Sequence, residues 1–110
     1  MVAFLAGAAL AAGQSASSGY REFTVTAKDT GFEPDVITVK KGEKVRLIIT
    51  ASDCEHEFRL ETFDIIQALK KGDPEIIEFT ASKAGKFEFK SSVYCGKGHG
   101  KMRGKLIVEE

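Results

Sequence analysis

Tryptophan is absent, and cysteine, histidine, methionine and proline occur only twice each in 110 residues. Each scarcity excludes something. Two cysteines are too few to staple a disulfide-rich miniprotein. Net charge is missing too: sixteen Lys and Arg are matched by sixteen Asp and Glu, so there is no bulk basic charge to hold nucleic acid. No apolar run reaches the ~20 residues that span a bilayer. What is present is ordinary for a globular domain. Hydrophobic residues make up 43% of the chain, which is neither disordered nor membrane-filling. The length suits one domain that folds alone with modest margin, and eight phenylalanines supply most of the aromatic core.

Residues 1–19, MVAFLAGAALAAGQSASSG, carry no charge at all. An apolar run from Met1 to Ala12 gives way to small residues, with Ala9-Leu10-Ala11 as a candidate cleavage triplet. The pattern resembles the apolar and cleavage regions of a secretory signal peptide, although the positive leading region is missing. No Cys follows the run, which argues against a lipoprotein anchor. The expectation is a signal peptide or its remnant over 1–19 and an exported, for example periplasmic, domain over 20–110. Export would place both cysteines in an oxidising compartment.

From Tyr20 onward the hydrophobic period is two. Phe23, Val25 and Ala27 alternate with polar neighbours, as do Ile37 and Val39, then Val45, Leu47 and Ile49. Phe58 and Leu60, Ile77 and Phe79, Phe87 and Phe89, and Leu106 and Val108 repeat the rule. Such alternation predicts half-buried antiparallel strands. Gly31, Pro34, Gly42, Gly72-Asp73-Pro74 and Gly85 punctuate them. Seven to eight short strands at this spacing predict an all-β, two-sheet sandwich. Thr62–Lys71 breaks the pattern: Ile65, Ile66 and Leu69 fit one side of a short helical turn, and periodicity alone does not decide it.

The chemistry is concentrated near the C-terminus. Cys95, His99 and Met102 fall within eight residues, separated by Gly96, Gly98 and Gly100. Glycine permits the positive φ that turns several side chains toward one point. Thiolate and thioether favour Cu(I), while imidazole favours Cu(II), so the set suits copper. A further ligand must come from elsewhere, and His56 is the only other histidine. Taken singly, each residue is ordinary: a Met is usually core, a His usually satisfied or exposed, a Cys a small hydrophobe or half a disulfide. The joint Cys-x3-His-x2-Met spacing before a final strand is what points to a metal. Two His, one Cys and a weak axial Met make the trigonal electron-transfer copper site.

These motifs resemble the cupredoxin family over most of residues 22–109. Gly31-Phe32-Glu33-Pro34 through Lys41-Gly42 resembles the family's second and third strands, and Asp53-x-x-His56-x-Phe58 its first histidine ligand. Cys95-Gly96-x-x-His99-x-x-Met102-x-Gly104 resembles its ligand loop, closest to the copper A domain of cytochrome c oxidase subunit II and nitrous oxide reductase. Those domains carry Cys-x3-Cys-x3-His-x2-Met, and Ser91 stands here at the first Cys position. A serine hydroxyl is a poor bridging ligand at neutral pH. The resemblance therefore implies a Greek-key sandwich over residues 20–110 with one copper ion held by His56, Cys95, His99 and Met102.

Cys54 fits this set poorly. It reads first as a buried small side chain, with a disulfide to Cys95 and a second copper thiolate as the alternatives. The charge is uneven: between Lys86 and Lys105 six cations oppose only Glu88, and between Asp53 and Glu78 eight acids oppose Arg59, Lys70 and Lys71. A solvated face is the common meaning of such runs. The functional one is steering of an acidic redox partner toward the copper loop. The leading expectation is an exported carrier of single electrons between redox proteins. Copper delivery or storage, as in oxidase assembly, is the alternative. Four protein ligands would leave no open position, so no enzyme turnover is expected.

Overall fold

The structure, a computed structural model, describes residues 19–93 and 102–110. Residues 1–18 of the leader expected over 1–19, and residues 94–101 with Cys95 and His99, lie outside the described residues. Among the described residues nine strands follow in order: β1 (Tyr20–Lys28), β2 (Gly31–Glu33), β3 (Val36–Lys40), β4 (Lys44–Ala51), β5 (His56–Leu60), β6 (Ile65–Leu69), β7 (Glu75–Thr80), β8 (Gly85–Lys90) and β9 (Arg103–Glu109). They form a four-stranded sheet, β2-β1-β4-β7, against a five-stranded sheet, β3-β9-β8-β5-β6. The all-β sandwich expectation is met. Among the described residues no helix is long and apolar enough to cross a membrane.

Two strands exceed the sequence reading. β2 is three residues long, too short for alternation to register. β6 resolves the ambiguous stretch. A single 3₁₀ turn at Glu61–Phe63 ends on Asp64 in the left-handed region, and the chain then turns back along β5 with His56 opposite Leu69 and Leu60 opposite Ile65. That pairing satisfies backbone groups on β5's outer edge. A helix would have drawn Ile66 inward, but it is 57% exposed.

The sheets are also not purely antiparallel. β1 runs parallel to β4, and β3 runs parallel to β9. Alternation reports that one face is buried and carries no information about the direction of the neighbouring strand.

The core lies between the sheets. Val25, Ala27, Val45, Leu47, Ile49 and Ile77 face Ile37, Phe58, Leu60, Phe89, Leu106 and Val108. Phe32, Phe58 and Phe89 form one aromatic cluster, with centroids 5.1 to 5.9 Å apart. Phe63 contacts both Phe79 and Phe87 at 5.3 Å in a second. Outside, Arg46 on β4 reaches Glu22 on β1 and Glu78 on β7, so the four-stranded sheet is laced by ion pairs.

Candidate metal centre

Three inward-facing stripes meet at one end of the five-stranded sheet. On β5 the buried positions are His56, Phe58 and Leu60. On β8 the stripe runs through Phe89 and continues to Ser91, just past the strand. On β9 it begins at Met102, just before the strand, and continues through Gly104, Leu106 and Val108. Period two therefore carries the hydrophobic stripes directly into His56, Ser91 and Met102. His56 is 2% exposed, Ser91 1% and Met102 0%.

The hydrogen bonds tie these ends together. The Ser91 N–H donates to the Met102 carbonyl at 3.1 Å, so the two ends of the intervening loop are held side by side. The Ser91 hydroxyl accepts from the Glu57 N–H at 3.0 Å and the Val93 N–H at 3.1 Å, and donates to the Val93 carbonyl at 3.0 Å. One donor and two acceptor sites are thereby all used. Glu57 Oε1 accepts from both the N–H and the hydroxyl of Ser92. Residues 91–93 are fastened to the first two residues of β5.

His56 is held on both sides. Its Nδ1 lies 3.0 Å from the Val93 carbonyl, and its Nε2 lies 2.8 Å from Asp53 Oδ1. Asp53 Oδ2 in turn accepts the Asp29 N–H at 2.8 Å. Burial alone would raise the Asp53 carboxyl, but the Asp29 amide and His56 outweigh it and hold the group below the usual carboxylate range. Glu57 behaves alike: burial would push it up, and the Ser92 hydroxyl with Arg59 draws it down.

Cys54 Sγ is 3.5 Å from His56 Nε2. The potential ligand atoms of Asp53, Cys54 and His56 all lie within 4.8 Å of one another. Cys54 nevertheless departs from its first reading as a buried small side chain. It is half-buried, stands outside β5 in the preceding turn, and is disulfide-bonded. The sequence holds one other cysteine, Cys95. The physical reason is that Cys54 precedes the strand and so escapes the alternation that would have carried it into the core.

Of the four expected ligands, His56 and Met102 are buried at the same end of the sheet, and Cys95 and His99 fall outside the described residues. The residues suit copper: a buried imidazole with one nitrogen engaged by a carbonyl, and a buried thioether one loop away. Sequence reasoning undervalues Ser91 and Asp53. Ser91 is more than a missing thiolate, since it is the hub of the hydrogen bonding. Asp53 carries a usable signal, three residues before His56, the spacing at which a carboxylate can turn back to an imidazole.

The opposed charge stretches are neighbours in space. Lys86, Lys90, Arg103 and Lys105 lie on the outward positions of β8 and β9. Arg59 on β5 lies opposite Lys90, which lies opposite Arg103. Glu57 and Glu61 engage Arg59, and Glu88 engages Arg103 at 3.0 Å. Each stretch is thus partly neutralised from within. Lys97 and Lys101 fall outside the described residues.

Comparison with known proteins accords with this geometry. Residues 1–108 match the cupredoxin-like domain family. Cytochrome c oxidase subunit 2 of Thermus thermophilus is 30% identical over 95 residues, which are 84% of this chain and 70% of that one. Against a second subunit 2 from the same species the same identity covers 56% of its length, so this chain spans only part of these relatives. The periplasmic domain of subunit II of cytochrome oxidase from Bradyrhizobium japonicum has the same fold, with a TM-score of 0.72 at 22% identity, over 81% of this chain and 83% of that one. A copper binding protein solved in its apo form by NMR gives a TM-score of 0.65 at 30% identity, over 83% of this chain and 89% of that one. With its fold, its buried His56 and Met102, and a match over nearly its whole length, the chain belongs to the cupredoxin-like domain family.

Proposed function

We propose that the protein is an exported mononuclear copper protein that carries single electrons between redox partners. The ligands are His56, Cys95, His99 and Met102. The observation that best supports this is the joining of Ser91 to Met102 and of residues 91–93 to β5. A loop with both ends fixed beside His56 is placed to bring its own ligands to that histidine at little entropic cost. Copper, when bound, supplies a one-electron couple. The chain supplies an imidazole held in a buried setting and a thioether buried in the core. A site whose geometry changes little between oxidation states keeps reorganisation small. Four protein ligands leave no position for substrate, which fits a carrier better than an enzyme.

The Cys54 disulfide bears on how the site loads. A cysteine engaged in a disulfide offers no thiolate, so loading through Cys95 requires the reduced chain. The partner is a redox protein with an acidic docking face, drawn by Lys86, Lys90 and Lys105 together with Lys97 and Lys101. The proximity of Cys54 Sγ to His56 Nε2 favours one second reading, a copper delivery protein that holds Cu(I) on Cys54 and His56.

The test is to reduce the protein, add Cu(II), and record visible and paramagnetic resonance spectra. An intense thiolate-to-copper band with four hyperfine lines supports the electron carrier. Seven lines indicate a copper pair and implicate Cys54. No colour with tight Cu(I) binding selects the delivery reading. Electron-transfer rates that ignore salt would remove the acidic-partner element.

A further inference from the structure

Lys90 stands between two arginines. Ile66, Arg59, Lys90 and Arg103 are in register across β6, β5, β8 and β9, about 4.8 Å from strand to strand. Their chain neighbours Phe58, Leu60, Phe89 and Gly104 are buried, so the row points out of the sandwich. We infer that this outer face of the five-stranded sheet, with Lys90 and Lys105 at its centre, is the docking surface for a carboxylate-rich face of the redox partner. The contact is made on the sheet rather than on Lys97 and Lys101 of the copper loop. This rests on the reading of an acidic partner and adds where that partner sits.

The ion pairs of the face are unevenly shared. Like charges opposite one another on neighbouring strands cost stability. Arg59 is compensated by Glu57 and Glu61, and Arg103 by Glu88. Glu88 lies opposite Lys105 in the ladder, yet its carboxylate goes to Arg103. Among the described residues no carboxylate comes within ion-pair distance of Lys90 or Lys105. The chain's own acids show what the face accepts, since each arginine of the row holds a carboxylate. An acidic segment laid across the row supplies the counter-charges that Lys90 and Lys105 lack.

Two further features favour a protein over a small anion. Ile66 on β6 and Val36 on β3, the edge strands of this sheet, are exposed at its two sides. Val36 lines a shallow depression together with Glu88, Arg103 and Lys105. Exposed aliphatic groups beside uncompensated cations offer a protein surface two kinds of contact. The location also suits the proposed electron transfer. Lys90 directly precedes Ser91 and Arg103 directly follows Met102, so the row backs onto the end of the sheet where His56 and Met102 are buried.

The experiment uses the reduced, copper-free, ¹⁵N-labelled full chain and an octaglutamate peptide as the acidic probe. At about 10 mM ionic strength, where the screening length is about 30 Å, amide shift changes should centre on Arg59, Lys90, Arg103 and Lys105. They should fade at about 150 mM, where that length is about 8 Å. Lys90→Glu with Lys105→Glu should weaken binding by about tenfold or more. Lys41→Glu with Lys83→Glu changes the net charge equally at the opposite end of the sandwich, where β3 ends and β8 begins. That pair should change binding by less than about threefold. Equal weakening by both pairs shows bulk charge alone and overturns the docking surface. Shift changes centred on Lys97 and Lys101 overturn it too, and leave an acidic partner at the loop. Binding to phosphatidylglycerol vesicles with none to the peptide assigns the face to a membrane and overturns both surface and acidic partner. No saturable binding of either probe also overturns both. The copper spectra are a separate measurement, so the electron-carrier reading stands or falls independently.

Discussion

Ser91 donates its main-chain N–H to the carbonyl of Met102 across 3.1 Å, joining the end of one strand to the start of the next beneath the proposed copper loop. Ser91 is 1% and Met102 0% exposed. Met102 is thus both a core residue and a proposed ligand, and substitutions can separate the two. Met102→Leu conserves volume and is expected to cost less than about 1.5 kcal/mol. It should keep the visible band and shift the reduction potential. Met102→Ala should cost about 2–5 kcal/mol. Denaturant titration of the copper-free protein, with voltammetry of the loaded Leu variant, checks both.

Gly104 is required by its neighbour. A Cβ at this position would lie 2.4 Å from the Phe89 ring and 2.6 Å from the Asp35 carbonyl. Phe89 also belongs to the aromatic cluster beneath His56 and Ser91. Gly104→Ala is expected to destabilise the fold by about 1–3 kcal/mol. Adding Phe89→Leu should recover part of that loss, so the two changes should combine non-additively in chemical denaturation.

Glu43 should contribute to acid sensitivity. Its carboxylate accepts the Lys40 N–H at 2.7 Å and pairs with Arg21 at 3.3 Å. The Lys40 main-chain bond is the main reason its pKa is lowered, burial opposes it, and Arg21 adds to the lowering. A carboxylate with a lowered folded-state pKa stabilises the fold above the unfolded-state value. That stability is lost as pH falls through the folded value. Thermal unfolding between neutral and strongly acid pH should therefore show a shallower acid loss for Glu43→Gln than for the unaltered chain. Parallel curves would contradict this.

The Cys54 disulfide predicts a mass change. Copper-free protein purified in air should be lighter than the fully reduced chain by two hydrogen atoms. Cys54→Ser should abolish that difference and lower the stability of the oxidised form by about 2–4 kcal/mol. The same variant should take up copper without added reductant. A copper-loaded, coloured wild-type protein that retains the lighter mass would exclude a cysteine thiolate from the site.

Much of this architecture is legible in the sequence because burial on one face imposes period two. His56 is buried for the same reason as Phe58 and Leu60, and Met102 for the same reason as Leu106 and Val108. β2 is too short to leave a period. Ile66 reads as inward-facing when hydrophobicity is equated with burial, whereas an edge strand leaves it outside. Strand direction escapes altogether, since a side chain's facing does not depend on which way its neighbour runs. Ser91 is hidden for a different reason. Its role lies in what its hydroxyl bonds to, and those partners are backbone groups of Glu57 and Val93.

The placement of β9 has a consequence for how the chain matures. It lies between β3 and β8, parallel to one and antiparallel to the other. Until β9 is inserted, β3 has no neighbour in its sheet, so the five-stranded layer cannot be built in the order of its strands along the chain. Pairings between segments so distant in sequence form slowly. A ribosome-bound or translocating chain lacks this inner strand of the five-stranded sheet until β9 has emerged. The proposed copper site at the head of β9 is consequently assembled only once β9 has been inserted between β3 and β8.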